Sequence, residues 1–139
     1  MNSNGHKRIL IVDDEESIRT LLKHIFEERN DYHAVTAPDG FIAIDLLRRQ
    51  GFDLVLTDWR MGDMDGLALA EAVQGISPDT RILLMTGNAT PELDDAVKAL
   101  RLDGWVKKPF TLPHILNTVE QVIGQRGEFK EAELNHLSI

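Results

Sequence analysis

Ile9-Leu10-Ile11-Val12 is a continuous apolar run bounded by charged residues. So short a run reads as a strand buried on both faces, as in a parallel sheet. After Asp13-Asp14 the period changes. Ile18, Leu21, Leu22 and Ile25 recur at the spacing of one helix face, with Glu15 and Glu16 where the helix dipole favours acid. Tyr32 to Ala37 predicts a second strand, and Pro38-Asp39-Gly40 is turn chemistry. Phe41, Ile44 and Leu47 predict a second helix that ends near Gly51. Asp53 to Asp58 repeats the opening pattern of apolar strand followed by acid. Met61 to Gly66 is a loop, and Leu67, Ala70 and Val73 form a weaker helical stripe stopped by Gly75 and Pro78. Arg81 to Met85 predicts a fourth strand, ending at Thr86-Gly87. Residues 90–101 predict a helix with Leu93, Ala96, Val97 and Leu100 inward. Gly104-Trp105-Val106 is a short fifth strand before Lys107-Lys108-Pro109. Leu112, Ile115, Leu116, Val119, Val122 and Ile123 complete a fifth helix. Five strands alternating with five helices mean βαβ units: an α/β, doubly wound parallel sheet with helices on both faces.

A chain of 139 residues suits one domain. With no cysteine, disulfides, thiolate metal sites and cysteine nucleophiles are excluded. Lys+Arg of 15 against Asp+Glu of 23 leaves a net charge of −8, which repels phosphate backbones and anionic lipid. The expectation is no nucleic-acid binding by this domain alone, no membrane association and a cytoplasmic protein. No apolar run approaches the ~20 residues of a membrane helix. Residues 125–139 fall outside the alternation. They are expected to be a C-terminal tail or linker stub to a domain spanning 7–124, and no output motif follows residue 124.

In a doubly wound sheet, function gathers at the carboxyl ends of the strands, near the switch point. This sequence places Asp13 and Asp14, Asp58, Thr86-Gly87 and Lys108-Pro109 there. Three converging carboxylates repel one another and raise their pKa values unless a cation lies between them. Hard oxygen donors in that number suit Mg²⁺. A lysine, a hydroxyl and a small residue with a free backbone N–H suit the oxygens of a phosphoryl group. Together they describe a carboxylate, a metal and a phosphoryl cradle.

VDDEES, TDWRMGDMDG, MTG and KKPF, in this order on these elements, resemble the signatures of the response-regulator receiver domain of two-component signalling. The resemblance covers about residues 7–124. It implies a flavodoxin-like fold, strand order 2-1-3-4-5, as in chemotaxis receivers. It implies that Asp58 accepts a phosphoryl group from the phosphohistidine of a sensor histidine kinase or histidine phosphotransfer protein, with Mg²⁺. The metal set would be Asp13, Asp14, Asp58 and the backbone carbonyl of Arg60. Thr86 would be the switch hydroxyl, Gly87 the small residue beside it, Lys108 the partner of Asp58 or its phosphate before a cis Pro109, and Trp105 the switch aromatic. Such a domain is not an enzyme; it catalyses only its own phosphorylation and slow dephosphorylation. The fourth helix, fifth strand and fifth helix would form the face that changes, with a possible homodimer through it.

Three positions depart from the family pattern. Gly62 stands where proline is usual, Arg60 puts a long cation two residues after Asp58, and Trp105 replaces the usual tyrosine or phenylalanine. The larger indole, with an N–H that wants a partner when buried, is expected to stay in one orientation and couple incompletely to Thr86. Taken singly, each motif has a plainer reading. Asp13-Asp14 could cap a helix, Asp58 could be a loop acid, Thr86-Gly87 a turn and Lys108 a surface lysine. Asp63 and Asp65 read as loop or cap residues, and Trp59 as a partly exposed neighbour of the site. Glu92, Asp94, Asp95 and Lys98 read as a solvated helix face, and none of the five histidines has metal spacing. A haloacid-dehalogenase-like phosphatase would need a general acid where Arg60 stands. A flavin binder would need a neutral phosphate loop where DDEES stands, and a phosphorylation-independent docking module would not need the full set of site residues.

Overall fold

A computed structural model describes residues 6–29 and 31–124. The elements alternate in order: β1 (Lys7–Val12), α1 (Glu16–Glu27), β2 (Tyr32–Ala37), α2 (Gly40–Arg49), β3 (Leu54–Asp58), α3 (Gly66–Ile76), β4 (Arg81–Thr86), α4 (Pro91–Leu100), β5 (Gly104–Lys107) and α5 (Leu112–Gly124). All pairings are parallel and the sheet order is β2-β1-β3-β4-β5. This is the expected α/β doubly wound sheet. The expected tail, 125–139, lies outside the described residues.

The strand alternation sorts the core into two layers. Ile9, Ile11, Leu54, Leu56, Leu83 and Met85 point to the face covered by Leu22 and Phe26 of α1 and Ile115 and Val119 of α5. Leu10, Val12, Val55, Ile82 and Leu84 point to the other face, covered by Ala43 and Leu47 of α2, Leu69 and Val73 of α3 and Leu93 of α4. Burying each large apolar side chain contributes about 1.5–3 kcal/mol, so both faces of the sheet are stabilising surfaces. Because β1 and β3 are neighbours while β2 and β4 lie outward, the chain leaves β1 and β3 in opposite directions. A crevice opens at their carboxyl ends.

The helix starts follow from local chemistry. Asp39 and Asp65 accept from the backbone N–H of Ile42 and Ala68, so each caps the helix that follows. Thr90 caps α4 through Leu93, with Pro91 in its first turn. The α1 N-cap is Glu15, whose side chain makes no cap bond. The alternative that Asp13-Asp14 caps α1 is therefore corrected: Asp13 Oδ1 accepts from the N–H of Glu15, one residue before the helix begins.

Some helix faces are rotated from the periodicity. Leu21, Phe41 and Leu112 are exposed, and α2 buries the expected Leu47 together with Gly40 and Ala43. Met64 packs over Gly40, so that a Cβ there would lie 2.5 Å from its sulfur. Helix α3 runs through Gly75 to Ile76, so glycine does not stop it; Val73 accepts from the N–H of Ser77 at its end.

Candidate phosphoryl-acceptor site

Register alone brings the site together. Val12 pairs with Thr57, so Asp13 follows β1 beside Asp58 at the end of β3. Asp58 pairs with Met85, which places Thr86 one residue further along β4, and Thr86 pairs with Lys107 on β5. Lys108 is then held by its own backbone N–H, which donates to the Thr86 carbonyl at 2.7 Å. The Lys108-Pro109 peptide is cis, as expected.

Asp13, Asp14 and Asp58 each present a carboxylate oxygen within 4.8 Å of the others. Asp13 is fully buried, Asp58 half-buried and Asp14 exposed. Lys108 Nζ lies 2.8 Å from Asp13 Oδ2, 3.5 Å from Asp58 Oδ2 and 3.9 Å from Glu15 Oε1. The closest partner of Lys108 is thus Asp13, where the resemblance implied Asp58. Asp13 is held at every polar atom. Its N–H donates to Ala37, its carbonyl accepts from Arg19, Oδ1 accepts from Glu15 and Oδ2 from Lys108. Asp14 alone projects into solvent.

The Asp58 carboxyl is pushed up to about 6. Burial is the largest cause; Lys108 opposes it, and Asp13 and Asp14 add to it. The carboxylate repulsion expected from three converging acids is the smaller contribution. Lys108 is itself shifted up: burial works against its charge, but Asp13, Asp58 and Glu15 outweigh it. The donor set fits a divalent cation: all ligands are hard oxygens, and one of them is solvent-facing.

Thr86 is buried, and its hydroxyl is engaged locally. Oγ1 accepts from the N–H of Asn88 and donates to the Asn88 carbonyl, both at 3.1 Å. Gly87 is exposed, and a Cβ there would meet nothing within 4 Å, so the chain around it leaves open space. Arg60 stacks its guanidinium over the Trp59 ring, 4.5 Å from its centroid. Trp59 is 6% exposed, which corrects its reading as a partly exposed neighbour. Trp105 is half-buried against the α2–α3–α4 core layer, and its Nε1 donates to Asp94 Oδ1 at 3.0 Å. Asp94 is therefore more than a solvated helix face. Asp63 is exposed in the loop, while Asp65 caps α3.

Gly66, the last residue of the TDWRMGDMDG signature, has a packing role that the motif does not reveal. A Cβ there would lie 2.4 Å from the Asp58 carbonyl oxygen and 2.9 Å from Trp59 Cα, and its N–H donates to the Trp59 carbonyl at 2.7 Å. Among the described residues, no helix is long and apolar enough to cross a membrane.

Residues 9–120 match the family model of the response regulator receiver domain. The response regulator receiver protein CpdR of Brucella abortus is 34% identical, over 84% of this chain and 97% of that protein. Sporulation initiation phosphotransferase F of Bacillus subtilis is 30% identical, over 85% of this chain and 94% of that protein. Chemotaxis protein CheY4 of Vibrio cholerae superposes with a TM-score of 0.80 at 32% identity, covering 84% of this chain and 98% of that one. The beryllofluoride-activated NtrC4 receiver domain, solved in solution as a dimer, superposes with a TM-score of 0.78 at 30% identity, covering 85% of this chain and 97% of that one. A match over most of the chain, on the same sheet order and with an acidic crevice at its carboxyl edge, leads to one conclusion: this chain belongs to the response regulator receiver domain family, and it is a phosphorylation-dependent signalling domain rather than a classical enzyme.

Proposed function

We propose that Asp58 is the phosphoacceptor. A carboxylate oxygen of Asp58 attacks the phosphorus of a phosphohistidine on a sensor histidine kinase or histidine phosphotransfer protein. The new O–P bond forms as the P–N bond breaks, and the leaving imidazole takes up a proton. Asp58 is poised for this role: a carboxyl near 6 is mostly ionised at neutral pH, yet burial keeps it poorly solvated. Lys108 supplies positive charge next to the attacking oxygen, and it can move from Asp13 towards a phosphoryl oxygen with little displacement. Gly87 leaves the approach open, and the Thr86 hydroxyl can exchange its bonds to Asn88 for one to the phosphoryl group.

Asp13, Asp14, Asp58 and the Arg60 backbone carbonyl would hold Mg²⁺. When bound, it would offset the charge that gathers on the transferred group. The domain would catalyse only its own phosphorylation and slow dephosphorylation. Its bounds would be 7–124, with 125–139 a tail or linker stub, in a cytoplasmic setting. A homodimer through α4, β5 and α5 belongs to the same reading; the NtrC4 receiver dimer supports self-association as such.

The observation that carries the proposal is the convergence of three carboxylates within 4.8 Å, with Lys108 between two of them. Incubation with acetyl phosphate and Mg²⁺ tests it. The wild type should gain one base-labile phosphoryl group and Asp58→Asn none; full labelling of that variant would assign the chemistry elsewhere.

A further inference from the structure

The bond between Trp105 and Asp94 ties β5 to the first turn of α4. Trp105 is fixed on β5, where it pairs with Leu84 of β4. Asp94 lies in the first turn of α4. At its far end α4 is anchored to α3, because Gln74 Nε2 donates to the Leu100 carbonyl at 2.5 Å. Between Thr86 and the α4 N-cap, Thr90, lie only residues 87–89.

The Thr86 hydroxyl now makes two bonds to Asn88. Turning it towards a phosphoryl group on Asp58 breaks both and displaces this short connection. With its far end held by Gln74, α4 can follow mainly by moving its first turn. That turn carries Asp94, so its displacement would draw the acceptor away from an indole held on β5.

We propose that Asp94 is a positioning residue for phosphoryl binding at Asp58, acting through Trp105. The indole–carboxylate bond holds the first turn of α4 in the unphosphorylated arrangement and so lowers the population competent to engage the phosphoryl group. It rests on the reading of Asp58 as phosphoacceptor and Thr86 as the responding hydroxyl. A ligand that needs a minor state binds more weakly in proportion to that state's population, so releasing the tie should tighten binding.

The probe is beryllofluoride in saturating Mg²⁺, titrated by calorimetry. Trp105→Phe, which keeps a ring but loses the N–H, and Asp94→Ala should each bind roughly three- to tenfold more tightly than the wild type, the range expected from loss of one solvent-exposed hydrogen bond. The double variant should gain no more than either single one, because both remove the same bond. Asp94→Asn, which retains an oxygen acceptor, should lie in between. Glu92→Gln removes another first-turn charge without touching Trp105 and should match the wild type. Single variants with wild-type or weaker affinity, or gains that add in the double variant, would overturn the tie. A wild type that binds no beryllofluoride would instead overturn the Asp58 reading beneath it.

Discussion

Gly66 has no room for a side chain because the Asp58 carbonyl stands where its Cβ would be, at 2.4 Å. The obstructing atom is backbone, so neither residue can yield by a rotamer change. The first turn of α3 thus rests on the end of β3 and fixes the strand that carries the acceptor. Gly66→Ala should destabilise the domain by roughly 1–3 kcal/mol, as overfilled sites do, and slow labelling of Asp58 by acetyl phosphate. Urea unfolding and labelling rates measured on the same variant check both effects.

The raised Asp58 carboxyl also sets a pH dependence. It titrates near 3.8 in the unfolded chain and about 6 in the folded one, so the native state holds this proton more tightly. Stability from this group is present at low pH, declines as pH rises between those values and is lost above the upper one. Asp58→Asn has no proton to lose. Its unfolding free energy should lack this decline and exceed that of the wild type at neutral pH without Mg²⁺, as measured by denaturant unfolding across the pH range.

Lys108 neutralises a carboxylate that has no solvent of its own, since Asp13 is fully buried. Lys108→Ala leaves that charge uncompensated, and breaking such a pair costs roughly 3–5 kcal/mol. Because Lys108 lowers the Asp58 titration point, the variant should also move it further up. Chemical denaturation reads the first effect and carboxyl-carbon NMR titration the second.

Mg²⁺ should raise the thermal midpoint of the wild type. A ligand bound only by the native state stabilises by about 1.4 kcal/mol for each tenfold excess over its dissociation constant. Asp14 is exposed and carries no packing, so Asp14→Ala should keep the fold and lose the Mg²⁺ response. Thermal unfolding with Mg²⁺ and with chelator compares the two.

The centre of the sheet was legible because its strands, β1, β3 and β4, are buried on both faces. Ile9 to Val12 and Arg81 to Met85 leave no polar period to misread, and each is followed directly by a site residue, Asp13 or Thr86. Asp13, Asp58, Thr86 and Lys108 could be grouped from chain order because parallel register carries them to one edge. Helix faces were less legible: Phe41 and Leu112 fit the period, yet both are exposed in the first turns of their helices. Gly66 closes the TDWRMGDMDG signature, but its steric constraint could not be read there, since it comes from the end of β3. Nor could periodicity reveal that Asp94 bonds Trp105, because that contact depends on how α4 lies against β5.

The most direct test of the central claim is chemical trapping of the phosphorylated residue. Protein treated with acetyl phosphate and Mg²⁺ is reduced with borohydride, which converts an aspartyl phosphate to homoserine, and the digest is sequenced by mass spectrometry. The expected result is homoserine at position 58 alone, dependent on Mg²⁺ and absent without the phosphodonor. Homoserine at position 13 or 14, or unmodified Asp58 in protein shown to carry the phosphoryl group, would contradict the account.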